Sequence, residues 1–348
     1  MGYTLKQIVG ATVLDVPLFE WRLRSSWLCI CNRNERLRAS ADGRGFACEW
    51  QWTSDLHAPK VFPALGTRLL ARCLQSWPIA FGSTPQQGGA EAQVSFIIGH
   101  RGAQRVPQLL STLATIAAQR GVACECVVVE QSDRDEVSKL LPSWVRYVHT
   151  PLPAPGMPYC RSWALNVGAR AARGKVLVFH DNDMLVPQAY AAELWARSQA
   201  GYEVINLKRF IFYLNEAHSS AVCAGDRRLT AMPAEAIVQN TEGGGSVAMS
   251  RDAFFAIGGY DEAFVGWGGE DNEFWQRALT RKAWPFAYLP IVHLWHAPQP
   301  GKEQQDSPAV LRFQELAAVP PQRRIADLAR RSFGDARRMD PPWQREAS

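Results

Sequence analysis

An α/β fold with a mostly parallel central sheet flanked by helices, preceded by a small accessory lobe, is what this sequence predicts. Three observations carry that expectation. From about residue 93, strand-like apolar runs alternate with amphipathic helical stretches, the pattern of a parallel sheet with right-handed crossovers. The run Val176-Leu-Val-Phe179 is continuously apolar, as in a strand buried on both faces, and it leads through His180 into Asp181-Asn-Asp183. Residues 84–92, rich in Gly and Gln, separate this region from a Trp- and Arg-rich one before it.

Each element follows from local pattern. In the first lobe, residues 12–16, 27–31 and 46–52 resemble short strands, with Asp42-Gly43 as a turn before the last of them, and residues 65–77 look helical. After the break, residues 94–98 form the first strand. Leu109, Leu113 and Ile116 then mark a helix by their 3.6-residue spacing. Residues 126–130 and 145–149 are the next strands, 159–172 an amphipathic helix, and 175–179 the strand that ends in the acidic pair. Residues 286–292 read as a later apolar strand. The expected organisation is an accessory lobe over residues 1–90, the main domain over 91–305 and a basic helical tail over 306–348.

Composition bounds the function. The 348 residues are 47% hydrophobic and 20% charged, as in soluble globular proteins. The net charge of +5 is modest, and no basic–aromatic stripe supports nucleic-acid binding. Arg323, Arg324, Arg330, Arg331, Arg337 and Arg338 cluster near the C-terminus, as a solvated helix face or as a peripheral contact with anionic lipid. No apolar run reaches the ~18 residues of a bilayer span, and no secretion-signal pattern opens the chain. The eight cysteines include two C-x-C pairs but no zinc-ribbon spacing, which suits free thiols in a reducing cytoplasm.

Three constellations carry chemistry. Asp181 and Asp183 place two hard oxygen donors beyond a strand's carboxyl end, where open α/β sheets bind ligands. A turn after a strand often holds such residues, so the pair alone is ambiguous. Gly266-Trp267-Gly-Gly-Glu270-Asp271 puts two carboxylates in a helix's first turn, suited to a general base or simply to the helix dipole. The glycines around Trp267 suggest a shaped substrate surface. His293-Leu-Trp-His296 follows the late apolar strand, where neutral imidazoles can complete a metal site begun by the two aspartates. Arg101 and Arg161 follow or precede strands where cations can meet a diphosphate, Glu130 ends the second strand, and Gly244 lies in a flexible Gly-rich stretch.

From about residue 93 to 305 the chain resembles GT-A (Rossmann-like) glycosyltransferases of family 2, particularly those with a galactosyltransferase-like C-terminal region. Phe179-His-Asp181-Asn-Asp183, Gly258-Gly-Tyr-Asp261 leading to Trp267-Gly-Gly-Glu270-Asp271, and His293 to His296 carry the resemblance in the family's order. It implies a UDP-sugar donor with Mn²⁺ or Mg²⁺ on its diphosphate, and a glycan or lipid-linked saccharide as acceptor. Asp183 matches the closest metal contact, Asp181 the residue near ribose and metal, and His296, with His293 second, the histidine ligand. Asp271 matches the catalytic base of inverting members and Glu270 an acceptor contact. Arg101, Arg161, Glu130, Gly244 and Trp267 are the expected donor contacts. Residues 130–131 depart from the family's usual Asp-Asp, and residues 1–90 lie outside the resemblance. The competing expectations are a retaining N-acetylgalactosaminyltransferase-like enzyme and a catalytically silent sugar-binding protein.

Overall fold

Seven strands build the central sheet of the computed structural model, which describes residues 3–49, 52–86, 91–298 and 307–338. We number them β1 (Val94–His100), β2 (Cys124–Gln131), β3 (Arg146–Thr150), β4 (Val176–His180), β5 (Val204–Ile205), β6 (Ser246–Ser250) and β7 (Ala283–Trp284). Their order is β7-β5-β6-β4-β1-β2-β3. All neighbours are parallel except at β6, which runs antiparallel to β4 and β5. The mostly parallel α/β architecture is therefore as the alternating pattern predicts.

The apolar runs are continuous because both faces of the sheet are covered. In β1, Phe96 and Ile98 join one core and Ile97 the other. The helices Val106–Ala117 and Tyr190–Gln199 supply Leu109, Leu113, Ile116 and Leu194 to the first core. Arg161–Ala171, Arg251–Ala256 and Glu270–Ala278 supply Trp163, Leu165, Phe254 and Phe274 to the second. Period-two alternation thus feeds two helical layers.

A second sheet sets the histidines. Its order is Ser54–Asp55, Ala234–Gln239, Lys208–Leu214, Leu289–His293, Met184–Leu185. Met184, directly after the acidic pair, pairs antiparallel with His293, and the Leu294 N–H donates to the Asp183 carbonyl at 2.8 Å. Two sequence-distant motifs are therefore joined by backbone hydrogen bonds.

The first lobe differs from its sequence reading. Residues 12–16 are helical, inside a run formed by Leu5–Gly10, a π-helical turn Ala11–Asp15, and Val16–Ser25. Thr4 and Gln7 form a capping box that starts the run, and Ala11, Phe19 and Leu23 bury one face of it. A short β-branched stretch cannot reveal that helical period by itself. Trp27–Cys29 is a 3₁₀ turn rather than a strand, while Phe46–Cys48 is a strand paired with Leu37–Ala39. Residues 50 and 51 lie outside the described residues. The helix expected at 65–77 is Pro63–Ser76. The lobe shares its core with the main domain, since Leu69 and Leu70 pack with Phe210, Phe212 and Val292.

The C-terminal arginines also need correction. Residues 307–338 hold two helices, Pro308–Ala317 and Pro321–Leu328, packed on the helix Glu270–Ala278. Arg324 is buried, 3.2 Å from Glu273 and 2.7 Å from Gln276, and Arg331 lies 3.6 Å from Asp261. Arg323, Arg330, Arg337 and Arg338 of that cluster are exposed, so the expected basic helical segment is there but partly built into the fold. Residues 339–348 lie outside the described residues.

Beneath the same helix Arg277 is fully buried, bidentate to Glu273 at 2.7 and 2.6 Å and bonded to the Ile257 and Gly259 carbonyls. Removing Arg277 takes the bidentate partner from buried Glu273, leaving it only Arg324 at 3.2 Å among the described residues, and orphans the two carbonyls. Arg277→Ala is expected to cost about 3–5 kcal/mol of stability, measured as a lowered urea midpoint at unchanged slope.

Candidate active site

The site lies beyond the carboxyl ends of β1, β2 and β4, where the sheet opens. Strand β4 is buried throughout, so its end fixes the acidic residues that follow. Asp183 is only 2% exposed and faces both histidines. His296 Nε2 lies 3.4 Å from its Oδ2, and His293 Nε2 lies 3.7 Å from its Oδ1. The three ligand-capable atoms fall within 4.8 Å of one another. His293 rests on the Tyr213 ring, with centroids 4.5 Å apart.

This donor set fits a divalent cation. Asp183 Oδ1 and His293 Nδ1 are buried without a hydrogen-bond partner. Such orphans are costly unless something else satisfies them. Burial lowers the His293 pKa, only partly offset by Asp183, which favours the neutral imidazole that a metal requires. One carboxylate with two imidazoles suits a first-row ion such as Mn²⁺ better than Mg²⁺. Both histidines lie within reach of Asp183, where the sequence reading ranked His296 first.

Asp181 does not join that cluster. Its Oδ1 accepts from Arg161 Nε at 3.1 Å and Nη2 at 2.7 Å, while Arg161 Nη1 donates to Asp271 Oδ1 at 2.6 Å. The guanidinium therefore bridges the strand-end acid and the helix-start acid. Burial would raise the Asp181 pKa, but Arg161 outweighs it and the net direction is down. Asp271 moves the other way, raised by burial against the pull of Arg161. Glu270 is pushed up to about 7 by burial and then by the Asp271 charge. Both acids still meet the open cleft, Asp271 with 27% of its side chain exposed.

Glycines bring the backbone onto this helix start. A Cβ at Gly244 would lie 3.3 Å from Asp271 Oδ2, and one at Gly243 would lie 3.1 Å from the Asp271 carbonyl. Buried Lys208 ties down the same loop through the Glu242 and Ser246 carbonyls, and burial lowers its pKa to about 7. Gly268 and Gly269 have positive φ and lie against Val310 and Phe313 of the Pro308–Ala317 helix. Their small size therefore serves close packing against that helix, a role their sequence context did not reveal. Trp267, immediately before them, stays 38% exposed.

Two expected donor contacts are otherwise engaged. Glu130 is fully buried and accepts from the Glu136 and Val137 N–H groups and the Tyr147 hydroxyl, so it shapes the loop after β2. Arg101 donates to the Gln131 carbonyl and side chain and to the Met157 carbonyl, and lies over the Tyr159 ring. Its fork is committed to the fold rather than held toward the acidic cluster. Besides Arg161, a second cation reaches the acidic residues: Arg105 donates to Asn182 Oδ1 at 2.9 Å and to Asp183 Oδ2. Sequence reading missed it. The available signal was its place at the start of the helix after β1.

Against known proteins, residues 104–254 match the model of glycosyl transferase family 2, and residues 236–288 match that of the N-terminal domain of galactosyltransferase. Chondroitin synthase of Escherichia coli is 42% identical over 62 residues, which is 18% of this chain and 9% of that protein. The match thus spans under a tenth of that relative's length. The first match includes the acidic strand end and the Gly-rich loop, and the second includes the Gly-rich loop and the Glu270-Asp271 turn. The chain is thus similar to family 2 glycosyltransferases over its central sheet and to the galactosyltransferase N-terminal domain over the segment that carries Glu270 and Asp271, on an α/β architecture consistent with the GT-A fold.

Proposed function

We propose that the protein transfers a hexose of the galactose, N-acetylgalactosamine or glucose type from a UDP-sugar to a hydroxyl of a glycan or lipid-linked acceptor. Transfer proceeds with inversion and depends on Mn²⁺ or Mg²⁺. The observation that carries this reading is the separation of two acidic centres across one cleft. Asp183 sits with two histidines, while Asp271, joined to Asp181 through Arg161, sits apart at a helix start.

When bound by Asp183, His293 and His296, the ion supplies Lewis acidity to the donor's diphosphate. Arg105 and Arg161 add fixed positive charge as the leaving UDP gains its electron pair. Asp271 accepts the acceptor hydroxyl proton while that oxygen bonds to the anomeric carbon and the carbon–phosphate-oxygen bond breaks opposite it. Its raised pKa makes it a better base than a surface aspartate. A single displacement turns an α-linked donor into a β-linked product. The exposed Trp267 face lies against the donor sugar, and Glu270 orients the acceptor sugar.

A panel of UDP-sugars assayed for UDP release, with Mn²⁺ and with chelator, tests this directly. Metal-dependent release from at least one donor is expected, and release that ignores the chelator contradicts the assignment. A pH dependence follows as well. Ionised Glu270 accepts sugar hydroxyl bonds better than neutral Glu270, and its pKa lies near 7. The acceptor KM should therefore fall as pH rises through about 7, whereas Glu270→Gln should show a flat KM across that range.

A further inference from the structure

We infer that the helical run over residues 5–25 is a docking surface for an anionic lipid bilayer. The run presents an apolar face to solvent. Leu5, Val9, Val13 and Trp21 are spaced by four or eight and are 77%, 52%, 63% and 66% exposed, with Leu14 beside them. Positions four apart share one side of a helix, and the π-helical turn in the middle keeps them near alignment. Ala11, Phe19 and Leu23 on the other side hold the run to the protein. Monomeric soluble proteins rarely leave so continuous an apolar stripe uncovered.

Charge selects the occupant. Ten Lys and Arg against six Asp and Glu fall in residues 1–86, so this lobe carries nearly all of the chain's +5. Lys6, Arg24, Arg33, Arg68 and Arg72 are exposed on or beside the run. Its two acids pair with Arg33 and Arg68, so Lys6, Arg24 and Arg72 are the rim charges left uncompensated among the described residues. Asp15 meets His57 at 2.8 Å and Arg33, and Glu20 meets Arg68 at 3.0 Å. An exposed indole on an apolar helix face with a basic rim is the pattern of an interfacial helix lying in a headgroup layer. No helix among the described residues is long and apolar enough to cross a membrane, so contact through this face is peripheral. The basic cluster expected to make such a contact, at the C-terminus, is partly consumed by the fold.

The test is flotation of the full chain with vesicles of phosphatidylcholine and phosphatidylglycerol in equal parts, and with phosphatidylcholine alone. The native protein should float with the mixed vesicles and far less with the neutral ones. Val9→Glu/Val13→Glu should weaken binding by roughly tenfold or more, with an unchanged circular dichroism spectrum and unchanged UDP release on soluble acceptor. Leu5→Glu, at a position with no buried neighbour in its helix, is the second variant should the double change perturb folding. Failure of the native protein to float, or equal flotation of both variants, overturns the proposal. A dimer seen by light scattering and dissolved by the same substitutions would assign the face to a second copy and overturn it equally.

Discussion

Asp271→Asn is expected to lower transfer by about 10²–10⁴-fold, the usual contribution of a positioned general base, while leaving UDP binding nearly intact. The asparagine keeps the size of the side chain and an oxygen for the Arg161 bond now made at 2.6 Å. It loses only the capacity to take a proton. Because Asp271 lies outside the Asp183–His293–His296 group, donor affinity should not follow activity downward. Steady-state kinetics with isothermal titration of UDP separate the two effects. Normal turnover in the variant would remove Asp271 from the base role.

Asp183→Ala is expected to abolish metal-dependent UDP binding. Asp183 touches both histidines and Arg105, so its loss leaves two imidazoles without their carboxylate partner and frees one guanidinium. Altering a partner outside the ligand shell already costs about 10–100-fold in metal affinity, and removal of a ligand should exceed that. Titration of UDP with and without Mn²⁺ should show a large metal effect in the native protein and none in the variant. Asp181→Ala should differ. It should loosen Arg161 and shift the Asp271 pKa while the metal effect survives, because Asp181 pairs with Arg161 rather than with the histidines.

The parallel sheet was legible because burial on both faces forces unbroken apolar runs such as Val176-Leu-Val-Phe179, which no surface element needs. The acidic and histidine motifs were legible as residue types at strand exits. Their division of labour was not. Asp181 and Asp183 look alike in sequence, and only the pairing of Met184 with His293 turns Asp183 toward the histidines. Arg105 and Lys208 act through geometry created by distant backbone, and one arginine among many carries no mark of that. Glu130 and Arg101 looked cleft-facing from their positions, but loop and strand-end polar groups needed partners and took them. In the first lobe, Thr12 to Val16 read as β-branched strand, since the helix face that decides the matter is fixed by Phe19 and Leu23 further on.

The anomeric configuration of the first product, followed by proton NMR from an α-linked UDP-sugar, is the most direct measurement of the central claim. A β-linked product appearing in step with UDP, and absent with Asp271→Asn, is the predicted result. An α-linked product would contradict a single displacement driven from Asp271.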